Sequence, residues 1–187
     1  AMHRAPGRFL GQVLVGAAHL WPAEAEASTD PSAGLEPEPD AGGSWVDAVM
    51  GSVGLGSTRG ERNNNPGNIR LSATKWQGEI AGNDTAFVTF ATPADGIRAL
   101  AKLLKNYSTR YGLNTVRGII NRYAPPVENN TSAYVAAVAA DMGIGPDAPL
   151  NLSDAGTLDA LVTAIIHHEN GRVSYAAADI SAGVALA

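Results

Sequence analysis

Cysteine is absent from the 187-residue chain. That absence excludes a disulfide framework, a thiol nucleophile and a zinc–thiolate site. Positive charge is missing from one long stretch, with no Lys or Arg between Arg8 and Arg59. The same interval holds Glu24, Glu26, Asp30, Glu36, Glu38, Asp40 and Asp47, which accounts for a formal net charge of −5. From Arg59 onward, 11 basic residues face 11 acidic ones. A neutral domain carries no electrostatic footprint for nucleic acid, so no nucleic-acid partner is expected. No apolar run is long enough to span a bilayer. Membrane contact is expected, if anywhere, through residues 9–21. Neither G-x-S-x-G nor a zinc helix H-E-x-x-H occurs, which disfavours a peptidase. No metal site is expected, because His167 and His168 are adjacent and point about 100° apart on a helix. No other cofactor is expected either.

What remains divides into three parts. Residues 1–27 have a basic start, a modest apolar stretch and two A-x-A patterns, as an export signal would. They also carry a helical stripe of Phe9, Leu10, Val13, Leu14, Ala17 and Trp21, as a docking or anchoring helix would. Residues 28–50, rich in Pro, Gly, Ser and acid, read as a linker with little to bury. Residues 51–187 read as one mainly α domain (α+β) with a small β-hairpin, of a size suited to a single core.

Within that domain "SWVDAVMGSVG" suggests a short helix, and "GLGSTRGERNNNPGNIR" shows neither helical nor strand period. "KWQGEIAGNDTAFVTFATPADG" reads as a hairpin turning at Gly82-Asn83-Asp84. Four helical segments follow. Asp95 leads into the first, with Ile97, Leu100, Leu104 and Tyr107 on one face. The second carries Val116, Ile119, Ile120 and Tyr123 and stops at Pro125-Pro126. The third is capped by Asn130 or Thr131 and ends at Gly143. The fourth is capped by Ser153 or Asp154 and closes at Gly171.

The fourth helix raises the chemical question. Leu158, Leu161, Val162, Ile165 and Ile166 lie at i, i+3, i+4, i+7 and i+8, and the next position on that stripe is Glu169. A carboxyl group on a buried face is desolvated, which raises its pKa. The helix C-terminus repels a carboxylate as well. Both effects favour a protonated acid near neutral pH, as general acid catalysis requires. His168 either hydrogen-bonds near Glu169 or faces solvent.

A second cluster is "RNNNPGNIR", Arg62 to Arg70. Asn65 and Asn68 offer amides that pin a turn, or that position either the Glu169 carboxyl or the hydroxyl and N-acetyl groups of a sugar. Arg70 closes the segment, and Trp76 downstream offers a stacking surface or packs the hairpin. A third is "RYAPPVENNTSAY", where Tyr123, Glu128 and Tyr134 either line a groove or serve the bend and cap. Glu61, Asp84 and Glu128 are the candidates for a second carboxylate, Glu61 first because it adjoins the Asn-rich turn.

"NPGNIR", a following W-x-G and "FVTFATPADGIRALAKLL" together resemble a segment of the flagellar-type glucosaminidases, members of the lysozyme-like superfamily. "AIIHHENG" is similar to the apolar helix that carries the catalytic Glu in those enzymes. The order differs, since here the Glu helix follows the turn, as a circular permutation would arrange. The chain from about 59 to 183 also resembles a group of phage virion proteins described as P5-like. In that group "RNNNPGNIR", W-A-P-P-x-E-N-x-T and H-E-N-G occur in this order, and Tyr123 here stands in place of the Trp.

These resemblances imply a lysozyme-like fold, peptidoglycan glycan strands as substrate, and Glu169 as the acid that protonates the leaving oxygen. They imply a lytic transglycosylase or a hydrolase acting on the cell wall in the periplasm, delivered with a virion or exported. The alternatives are a non-catalytic virion or wall-binding protein of the same fold, and a secreted antibacterial effector with the same chemistry. Catalysis by two carboxylates needs a partner for Glu169. The sequence offers no clear one, which favours chemistry with a single Glu.

Overall fold

The computed structural model describes residues 57–187 apart from Thr74 and Glu128. The expectations for residues 1–27, for the linker 28–50 and for a helix in "SWVDAVMGSVG" lie outside the described residues. The expectation for Glu128 does too.

The described part is mainly helical with one small antiparallel sheet. A short helix α1 spans Arg59–Arg62. Strands β1 (Glu79–Ile80) and β2 (Thr89–Phe90) pair in the register Glu79↔Phe90 and Ile80↔Thr89. An isolated bridge, Arg70↔Phe87, extends the pairing toward the Asn-rich turn. Five helices follow: α2 (Pro93–Tyr111), α3 (Val116–Tyr123), α4 (Thr131–Asp141), α5 (Ala155–Asn170) and α6 (Ala177–Ala185).

The caps explain the boundaries. Helix α2 starts earlier than Asp95 because Thr92 caps it, its side chain accepting from the Asp95 N–H, and Pro93 occupies the first turn. Asn130 caps α4 and Asp154 caps α5, both within the expected choices. Gly171 ends α5 in the left-handed conformation at φ 68°.

Two elements depart from the sequence reading. The first is α1, which holds through a capping box: Thr58 accepts from the Glu61 N–H while Glu61 accepts from the Thr58 N–H. The second is α6, whose Ile180, Gly183 and Val184 are buried against α2. Gly183 permits that approach, since a Cβ there would stand 2.6 Å from Ile97 Cγ2. The core runs from Ile69, Val88 and Phe90 through Leu100, Leu104 and Tyr107 of α2 to Leu161, Val162 and Ile165 of α5. Glu169 continues that last stripe into the interior, as its spacing predicted.

Candidate active site

The Asn-rich turn gives each amide a separate task. Asn63 Nδ2 donates to Asp84 at 2.8 Å. Asn64, left-handed at φ 51°, donates to the Phe90 carbonyl at 3.0 Å. Asn65 is wholly buried; its Nδ2 donates to the carbonyls of Ile69 and Val88, and its Oδ1 accepts from the Ile69 N–H, all at 2.9 Å. Asn68, left-handed at φ 48°, turns its side chain away from the turn and donates through Nδ2 to Glu169 Oε2 at 3.0 Å. Asn tolerates that backbone better than other residues with side chains. Gly96 lets α2 reach the turn, because a Cβ would lie 1.9 Å from the Asn64 carbonyl oxygen.

Glu169 is 6% exposed at the end of α5. Its second oxygen, Oε1, accepts from the Tyr134 hydroxyl at 2.7 Å. Burial pushes its pKa up from 4.5 to about 7, although the bonds from Asn68 and Tyr134 pull it down. At neutral pH the carboxyl group therefore populates both its protonated and its ionised form. Tyr134 is buried and is itself clamped by rings. His168 stacks on it at 3.6 Å between centroids, and Tyr123 meets it edge-on at 6.4 Å. Burial raises the Tyr134 pKa well above 10.0, and the Glu169 charge adds to this, so the phenol keeps its proton. His168 keeps an exposed edge. Burial of its stacked face, and then repulsion from His167, lowers its pKa, which leaves the ring neutral at neutral pH.

Next to Glu169, Asn170 is wholly buried and ties α5 to both other parts of the site. Its Nδ2 donates to the Pro66 carbonyl at 2.9 Å, and its Oδ1 accepts from the Thr58 hydroxyl at 2.7 Å. The approach depends on Gly60. A Cβ at that position would stand 2.7 Å from Asn170 Oδ1 and 2.9 Å from the Asn65 carbonyl oxygen.

Four expectations need correction. Asn65 cannot bind sugar, because it is wholly buried and its amide is engaged by the backbone. Tyr123 is 1% exposed, and its hydroxyl donates to the Gly67 carbonyl, so it supports the turn from within. Glu61 is not poised as a second carboxylate. It receives Arg172 Nε at 3.0 Å and Nη2 at 2.8 Å, the Ser174 hydroxyl, and the Thr58 N–H at 2.7 Å. Burial alone would raise its pKa, but those partners outweigh burial and hold it at about 2. Asp84 is tied up in the same way. It receives Arg59 Nε at 2.7 Å and Nη2 at 2.9 Å, besides Asn63 and two backbone N–H groups.

Asn68, Tyr134 and His168 are brought together with Glu169, and Arg70 and Trp76 are not. The Arg70 guanidinium lies over the Phe87 ring at 5.6 Å. Trp76 is half-buried against the core, with its indole N–H buried and without a partner among the described residues. Two cavities among the described residues lie elsewhere. One of about 510 Å³ sits between α5 and α6 and includes Asp141, Asp159, His167 and Tyr175. The other, about 370 Å³, follows the hairpin past Lys75, Ile80 and Thr89. Neither is lined by Glu169. Sequence reasoning missed Thr58, Gly60 and Asn170. The T-x-x-E box at Thr58–Glu61 was the available signal for the first.

No protein-family profile matches the chain. It is 40% identical over 131 residues to Protein P5 of Pseudoalteromonas phage PM2, an alignment covering 68% of this chain and 80% of that protein.

Proposed function

The chain belongs to the family of Protein P5 of Pseudoalteromonas phage PM2, and on that footing we propose that it is a virion-associated enzyme that cleaves the β-1,4 glycosidic bonds of peptidoglycan, with Glu169 as general acid. The observation that carries this reading is the carboxyl group of Glu169. It ends an apolar helix, it is 6% exposed, and each oxygen is held by a separate donor. A carboxyl with a pKa of about 7 is matched to giving up a proton at neutral pH. In the proposed reaction Glu169 delivers that proton to the leaving glycosidic oxygen. Asn68 and Tyr134 then stabilise the carboxylate left behind by donating to it.

Glu61 and Asp84 are held in ion pairs with Arg172 and Arg59. The proposal therefore rests on one carboxyl group, with either water or the sugar's own 6-hydroxyl as the attacking group. The site of action would be the periplasmic cell wall, and the fold would be a lysozyme-like arrangement in which the Glu helix follows the Asn-rich turn along the chain. Purified full-length protein added to peptidoglycan should lower turbidity. Mass analysis of the fragments separates the chemistries: 1,6-anhydro ends mean transglycosylation and reducing ends mean hydrolysis. A wall-binding role without catalysis is the second reading. Binding to peptidoglycan with no fragments released would establish it.

A further inference from the structure

We propose that Asn68 is a two-position amide that follows the proton on Glu169, donating to the carboxylate and, after a half-turn about its last torsion, accepting from the acid. The proposal deepens the general-acid reading of Glu169, but it is tested on the protein alone. With Glu169 ionised, Nδ2 donates to Oε2 at 3.0 Å and the Tyr134 hydroxyl donates to Oε1 at 2.7 Å. That state leaves Asn68 Oδ1 buried without a hydrogen-bond partner among the described residues, in a residue only 2% exposed. An unpaired buried acceptor is costly.

Oδ1 also lies on the Gly60 side of the amide. Around the point where a Cβ on Gly60 would stand, Asn170 Oδ1 lies at 2.7 Å, the Asn65 carbonyl oxygen at 2.9 Å and Asn68 Oδ1 at 3.2 Å. Three acceptors therefore gather beside Gly60. When Glu169 takes a proton on Oε2, the other end of the amide meets a conflict, because Nδ2–H and the new O–H are both donors. Rotating the amide resolves both problems. Oδ1 then accepts from the Glu169 hydroxyl, and Nδ2 comes to the Gly60 side, where Asn170 Oδ1 and the Asn65 carbonyl oxygen stand. Asn170 Oδ1 accepts from the Thr58 hydroxyl and the Asn65 carbonyl oxygen from the Asn68 N–H, and each retains a second lone pair. The rotation exchanges hydrogen bonds and transfers no proton.

Tyr134 cannot do this job in its place. A proton on Oε1 would make the Tyr134 oxygen an acceptor, and its own hydrogen would then have no partner among the bonds of the described residues. The other titratable groups facing this carboxyl are Tyr123 from α3 and Tyr134 from α4, both kept protonated by burial. His168 reaches it only through the Tyr134 ring. On α1, Glu61 is bound to Arg172.

The test is an NMR titration of the full-length protein between about pH 5 and about pH 9, a window that brackets a carboxyl raised toward neutrality. The Glu169 carboxyl carbon and the Asn68 side-chain amide should titrate with one midpoint. Contacts between the Asn68 amide hydrogens and the Gly60 α-hydrogens should be strong below that midpoint and weak above it. In Glu169→Gln the glutamine amide donates to Asn68 Oδ1, so those contacts should be strong at every pH. An Asn68 amide that does not respond while Glu169 titrates overturns the proposal, as does a Glu169 that does not titrate in the window. A coupled titration in a protein that releases no glycan fragments would keep the amide switch and remove the glycosidase reading. Fragment release with an unresponsive amide would do the reverse.

Discussion

Replacing Glu169 by Gln keeps the shape of the side chain and removes its charge, so its effect on stability should depend on pH in a defined direction. The folded-state pKa is about 7 against 4.5 for an unperturbed carboxyl. Below pH 4.5 the group is protonated in both folded and unfolded chains and contributes nothing to pH dependence. Between 4.5 and 7 the unfolded chain releases its proton first, so wild-type stability falls as pH rises. Above 7 the loss is complete. A difference of about 2.5 pKa units at about 1.4 kcal/mol each gives a penalty of about 3 kcal/mol, which the uncharged Gln escapes. For a domain of this size that is about 10 °C in melting temperature. Thermal unfolding of both proteins at a series of pH values checks it. The two should melt together near pH 4.5 and diverge above neutrality, the variant being the more stable. A constant offset from acid to alkaline pH would show that the carboxyl is not held in a desolvated environment, and the reasoning from burial would fail.

Other perturbations separate the parts of the site. Tyr134→Phe deletes the donor to Glu169 Oε1, so the Glu169 midpoint should move upward in an NMR titration, with a stability loss of about 1 kcal/mol. Gly60→Ala places a methyl group 2.7 Å from Asn170 Oδ1, and denaturant unfolding should show a loss of about 2 kcal/mol or more as α1 is pushed off α5. Arg172→Ala strips Glu61 of its ion pair. It should lower stability above pH 4.5, and that difference should fade as pH falls toward 2, since a lowered carboxyl pKa stabilises only where the unfolded group is ionised. Its activity per folded molecule should stay unchanged; a loss in a wall-digestion assay would return Glu61 to the reaction.

The helices from α2 to α5 were legible because each obeys a local rule. Their apolar residues recur at helical spacing, and Thr, Asn, Asp and Gly mark their ends. Glu169 was legible for the same reason, since counting along one stripe places it inside. The supporting shell followed no period. Asn65 and Asn68 look alike in sequence, yet one holds the turn and the other holds Glu169. The difference is the left-handed backbone at Asn68 and the approach of a helix 101 residues away. The role of Asn170 arises from contacts with Thr58 and Pro66, which are just as remote in the chain. Helix α6 was overlooked because its alanines and glycine carry little pattern, and what fixes it is the close contact of Gly183 with Ile97.

The central claim is that Glu169 supplies a proton to a glycosidic bond. The most direct measurement is the release of soluble fragments from purified peptidoglycan by the full-length protein and by its Glu169→Gln variant at the same concentration near neutral pH. The account predicts that the wild type solubilises the wall and that the variant, folded and at least as stable, is slower by at least about 10²-fold. Equal release by the two proteins, or none from the wild type, would contradict it.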